Sequence, residues 1–559
     1  MNKIFSSIIS LIFFGSIASA QLTEFSQGDI LSAGAMNQNF KYLEDRFGGL
    51  NEKTVDCGTS GTGSGINAAI KDGYNSIIVK GICKENINWD STKGERGYLK
   101  LKGYSNDQTS DKIVDNSSSS NSVISLTNSY LKIDNLTISG GTRGVHVSGN
   151  SLLWADNVTV ESYTQRGISV TSSSVGWFGS VTVDGTKQSS SDERGIWFVN
   201  SDGYIGGTTT IKGNSSSQGG MNSSNNSRIW IDGTLNLDSN KRGLKASEGG
   251  MIGIGSSAKT TITNSTEFGI NAYLGRIVNY GTITISDSSD GNFGILIDRS
   301  DAYLKNLTVT GGSGSDPLVG AYDSRLRFNG VTIKNHQGAL LSVERSTFYV
   351  EGTNSITNES SSDGCLVIYK NVNFKMDGST TMNGTNNSDC NAFNIMQSRG
   401  EIKDLTVSSP KDSIYSFSSD VTIYGGSYSS TGESAMRLEE GSRFNIESSD
   451  NNISITSNSS SEEALQVRNG SIARIKQASN SLSIDAPNYS PDIIVRGKSQ
   501  AKVDVDGTIA SFEIREMSFL ELDSGTLTLL SCGSMSYAEK DGGTISTVNG
   551  NCNYGSNSY

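Results

Sequence analysis

The chain has 559 residues, a net charge of −12, 64 glycines, 4 prolines and six cysteines. Acidity on that scale excludes nucleic acid and anionic membrane as partners held by charge. Ser, Asn, Thr and Gly dominate, but short alternating apolar runs interrupt them at a fixed spacing, which excludes a flexible polymer.

Residues 1–20 read as a secretory signal: Lys3, an apolar stretch from Ile4 to Ile17, and the small-x-small site Ala18-Ser19-Ala20. Cleavage there removes one positive charge and leaves no transmembrane segment, so the mature protein is expected to be secreted, extracellular or at the cell surface, with the periplasm as an alternative. Residues 21–50 hold a short N-terminal α-helix, about Ala33 to Phe47. Its apolar positions Ala33, Met36, Phe40, Leu43, Phe47 and Leu50 form a heptad seam. The segment from Gly28 to Phe40 resembles the leader helix of trimeric fibre-type bacterial proteins, which implies a homotrimer. Packing of this helix on the cap of its own chain is the other reading.

Residues 51–115 read as a cap and first coils. Val55-Asp56-Cys57-Gly58 precedes a helical turn, Ile66-Asn67-Ala68-Ala69-Ile70, followed by Ile78-Val79-Lys80-Gly81-Ile82-Cys83-Lys84-Glu85-Asn86 and Leu101-Lys102-Gly103. This succession resembles the cap and first coil of pectin-lyase-like proteins. The resemblance implies a right-handed parallel β-helix strongly and a function weakly, because that solenoid hosts lyases, hydrolases, epimerases, adhesins and stalks.

Residues 116–504 repeat a two-part unit about every 25 residues. One part is an anchor strand: Arg143-Gly144-Val145, Arg166-Gly167-Ile168, Arg194-Gly195-Ile196, Arg242-Gly243-Leu244 and Phe268-Gly269-Ile270. The other is Ile133-Asp134-Asn135-Leu136-Thr137-Ile138, echoed at Asn157-Val158-Thr159-Val160 and Asn306-Leu307-Thr308-Val309. Units this small bury an apolar face only by stacking. The expected fold is therefore all-β, a single-stranded parallel β-helix, with Asn135 and Asn157 stacked at a bend. Residues 505–559 add C-terminal coils and a stapled end. The cysteines fall into sequential pairs, Cys57–Cys83, Cys365–Cys390 and Cys532–Cys552, as disulfides in an exported chain. The middle pair sits at equivalent places in consecutive coils. Nothing after Cys552 reads as a barrel domain or sorting tail, so wall anchoring is not expected.

Chemistry has few candidates. His146 and His336 are too far apart in the repeat to share a site, and both are expected at the surface. The polygalacturonase elements are missing apart from Arg474-Ile475-Lys476, and Trp230-Ile231-Asp232-Gly233 lacks the histidine of the pectate lyase W-I-D-H element. No metal site or cofactor is assigned. One outward column is more informative: Lys132, Trp154, Trp177, Trp230, Tyr303, Arg327, Tyr349 and Lys375, with Asp134, Asp156, Asp232, Glu351 and Asp377 two residues on. Aromatic faces suit sugar rings and acids bind their hydroxyls. The expected function is thus an adhesin- or matrix-like protein contacting a polysaccharide or cell-surface glycan. The alternative is a polysaccharide lyase or glycoside hydrolase, with Asp134/Asp156 or Glu351/Asp377 about 5 Å apart as in retaining glycosidases. Strand-favouring aromatics and ordinary turn acids explain the same residues without a ligand.

Overall fold

The structure, a computed structural model, describes residues 50–91, 97–105, 109–116, 121–186, 194–213, 219–286, 294–311, 314–358, 366–384, 391–533, 535–550 and 552–555. The signal, the heptad helix and both cysteines of the Cys365–Cys390 pair lie outside them. The chain is all-β, a parallel β-solenoid, in two units: residues 1–163 with 168–182, and residues 164–167 with 183–559.

In the first unit, strand Leu152–Glu161 lies parallel on Tyr130–Ser139 with Leu153 beside Leu131 and Val158 beside Leu136. Side chains alternate, so Leu131, Ile133, Leu136 and Ile138 fill the interior while Lys132 and Asp134 project from the opposite face. Both strands bend at an asparagine in the left-handed region, Asn135 and Asn157 at φ 50°, a conformation asparagine tolerates. Asn157 Nδ2 donates to Asn135 Oδ1, so the bends are laddered as well as the strands.

The N-terminal segment explains its own sequence pattern. The helix Ile66–Lys71 is capped by Glu85, whose carboxylate accepts the N–H groups of Gly65, Ile66 (2.7 Å) and Asn67 (2.9 Å). Cys57 and Cys83 are disulfide-bonded, with Cα atoms 5.1 Å apart. Gly103 passes so close to the next coil that a Cβ would stand 1.9 Å from the Asn135 carbonyl oxygen.

The second unit repeats the coil. Anchor strands pair in the register their sequence suggests, Arg194 with Gly219 and Arg242 with Phe268. Strand Asp301–Thr310 lies on Arg325–Lys334, and both turn at left-handed residues, Asn306 and Gly330. An interior aromatic cluster joins Phe328, Phe348, Tyr369 and Phe393, with Phe328–Phe348 5.0 Å and Tyr369–Phe393 4.8 Å between ring centroids. Cys532 and Cys552 close the C-terminal end as a disulfide. The two disulfides fit an oxidising compartment.

A serine ladder runs where most anchor strands turn, with Gly275 and Val372 among its interruptions. Ser324 Oγ accepts the Ser300 N–H at 3.1 Å and donates to the Tyr322 carbonyl at 2.6 Å; Ser346 repeats this one coil on. The same pattern recurs through Ser398, Ser419 and Ser442, and in the first unit through Ser129, Ser151 and Ser174. These buried hydroxyls satisfy turn N–H groups that the strand ladders leave over.

Candidate functional site

Period-two alternation sets the outward column. In the first unit Lys132, Trp154 and Trp177 are consecutive neighbours in register, and Asp134 pairs with Asp156. Trp154 and Trp177 keep only 5% of their surface exposed. Their rings lie 4.0 Å apart, tilted 44°, with Lys132 Nζ 5.2 Å from the Trp154 ring. Large rings on adjacent coils lie down on one another instead of standing into solvent, so little of either is left for a ligand. Asp156 accepts the Ser180 N–H at 2.9 Å, a turn role.

In the second unit an outward column runs through Tyr204, Trp230, Gly253, Val278, Tyr303, Arg327, Tyr349 and Lys375. Tyr204, in the strand Asp202–Ile205, is a member of this column that the sequence pattern missed. Trp230 covers Gly253, where a Cβ would meet its ring at 2.1 Å. Asp232 accepts from Trp230 Nε1 at 3.0 Å and from the Tyr204 hydroxyl at 3.1 Å. Burial, then the Asp232 charge and hydrogen bond, push the Tyr204 phenol well above its ordinary range. Asp232 is thus engaged by its neighbours, and Gly253 and Val278 interrupt the aromatic stripe.

Beyond that gap the face opens. Tyr280, at the bend after strand Arg276–Asn279, is 45% exposed, and its ring lies 5.4 Å from Tyr303. Tyr303 and Tyr349 are half-buried. The Arg327 guanidinium sits 5.2 Å from the Tyr303 ring and binds Glu351 through Nη2 at 2.6 and 2.7 Å; Arg325 sits 5.7 Å from the Tyr349 ring. The sequence pattern missed Tyr280 because it follows the strand and has no place in the alternation. Its only signal is the turn pair Tyr280-Gly281.

The carboxylate pairs are committed elsewhere. Glu351 holds Arg327, and Asp377 lies between Lys403 at 3.1 Å and Lys375 at 3.2 Å. Burial works to raise the Asp377 pKa, but those two lysines outweigh it and hold the carboxyl below its ordinary value. His336 corrects an expectation of surface exposure: it is 2% exposed, with Nε2 2.6 Å from the Asp316 carbonyl oxygen. A loop residue is buried here because it folds back on the preceding coil. His146 lies on the outward row beside Ser125 and is half-buried.

Among the described residues no group of three or more His, Cys, Asp or Glu is arranged to hold a metal ion, and no helix is long and apolar enough to cross a membrane. Compared with protein-family models and with curated proteins, the chain matches none.

Proposed function

We propose that this chain is an exported adhesin- or matrix-like protein that binds uncharged glycans through the face around Tyr280, Tyr303 and Tyr349. The observation that carries the reading is the exposed Tyr280 ring beside Tyr303, flanked by the Arg327–Glu351 pair. Rings offer apolar faces to sugar C–H groups, and an arginine–carboxylate pair offers donors and acceptors to hydroxyls. Three arginines nearby are paired with acids, Arg327 to Glu351, Arg345 to Asp323 and Arg299 to Asp298, which favours an uncharged ligand over an anionic one. On this reading the solenoid is right-handed and pectin-lyase-like, residues 21–50 assemble it into a homotrimer, and Trp154, Trp177 and Trp230 stiffen the outward face while Asp156 holds a turn and Asp232 holds the neighbouring rings.

The test is a glycan array run with a reducing-sugar and unsaturated-uronide assay on the same ligands. Binding without turnover is expected. Turnover of any hit replaces this reading with polysaccharide cleavage, and no hit on the array removes it.

A further inference from the structure

In the second unit, the stretch of each coil after the bend presents a different face. One outward row runs Thr261, Thr284, Thr308, Thr332, Ser355, Thr381, Thr406, Ser427, Ser454 and Ser483, each the register partner of the next. Every member carries a hydroxyl, and none is buried. Two residues on, a second row holds Thr263, Ser286, Thr310, Thr357, Ser408, Ser429 and Thr456, with Lys334, Asn383 and Asp485 as its departures. Between the rows, Ile262, Ile285, Val309, Ile333, Ile356, Met382, Val407, Tyr428, Ile455 and Ile484 point into the core and fix both rows to the sheet. The anchor-strand face differs: its outward residues Asn222, Asn271 and Asn394 are buried.

The geometry points to an ice-binding surface: we infer that this double hydroxyl row adsorbs to crystalline ice. Neighbouring coils space the hydroxyls about 4.8 Å apart, and the two rows stand about 6.7 Å apart along each strand. One exposed hydroxyl gains only about 1 kcal/mol or less net from a hydrogen bond, so a soluble ligand touching two or three would not stay. A solid whose own oxygens repeat at comparable spacing engages many at once, and their contributions accumulate as in any multivalent contact. The first row is uncharged along its whole length on a protein of net charge −12, matching an uncharged lattice. Crystalline polysaccharide is the other periodic solid, but the two rows contain no aromatic side chain on which sugar rings would lie.

The test freezes the full chain with fluorescent label into a growing single ice crystal and follows recrystallisation in a polycrystalline wafer. Expected are labelled ice and arrested grain growth, and at least about tenfold more protein needed after Thr308→Lys with Thr332→Lys, since one break in the row splits the array. Thr422→Lys, on the outward row before the bend that also carries Tyr349 and Lys375, keeps the wild-type effect. Circular dichroism confirms folding of each variant. Wild-type protein excluded from ice and grains that coarsen as in buffer overturn the inference whatever the variants do. So does a folded double variant equal to wild type, or adsorption to microcrystalline cellulose or chitin without adsorption to ice.

Discussion

The rings of Tyr280 and Tyr303 lie 5.4 Å apart at 56°, one from a bend and one from a strand of the next coil. Sequence alternation supplies the second and coil stacking brings the first beside it. For the strongest uncharged array ligand, Tyr280→Ala or Tyr303→Ala is expected to weaken binding about tenfold, or 1.4 kcal/mol. Trp154→Ala leaves the affinity within about twofold, because its ring is already covered. Calorimetry on the three variants distinguishes these outcomes.

The serine ladder predicts a stability cost with no loss of surface chemistry. Ser324→Ala strands the Ser300 N–H in a buried turn, which costs about 1–3 kcal/mol. Thr282→Ala, on the solvent side of a strand in the same unit, stays within about 0.5 kcal/mol. Denaturant unfolding of both variants checks the contrast.

A buried acid predicts a pH effect. Asp412 is fully buried, with Arg437 Nε 3.4 Å away. Burial raises its pKa to about 7, against the opposing charge of Arg437. The folded chain therefore holds a proton between about pH 4 and 7 that the unfolded chain has lost. Its stability falls as pH rises through that window and stays low above it. Asp412→Asn should flatten the fall, gaining stability on the order of a few kcal/mol at pH 8 and little at pH 4. Unfolding midpoints across pH 4–8 measure it.

Inside the second unit, Tyr369 is fully buried and its hydroxyl has no hydrogen-bond partner among the described residues. Burial pushes the phenol well above its ordinary range. Tyr369→Phe keeps the ring contacts with Phe348 and Phe393 and removes the unpaired oxygen. It is expected to leave stability unchanged or raise it by about 1 kcal/mol, read from the same unfolding curves.

The coil register was legible because two periods coincide in the sequence. The alternation of Leu131, Ile133, Leu153 and Ala155 sets which side chains face out, and the glycine-marked anchors set which coils are neighbours. Together they place Trp154 beside Trp177 and Tyr303 beside Arg327, as found. What a ring does once it faces out was not legible. Trp154 and Trp177 lie on each other, and Trp230 lies on Gly253, because adjacent coils are closer together than an indole is wide. Tyr280 escaped notice since bends carry no alternation, and the serine ladder since Ser is everywhere in this composition. His336 looked like a surface residue because its neighbours Asn335 and Gln337 are polar, and only the fold-back of its loop buries it.

The most direct measurement is site-resolved oxidative footprinting of the full chain with and without the strongest uncharged glycan from the array. Tyr280, Tyr303 and Tyr349 should lose reactivity on ligand addition while Tyr104, exposed on the first unit, keeps its own. Unchanged reactivity at those three tyrosines under saturating ligand, with protection appearing on another face, would contradict the glycan-binding surface proposed for this protein.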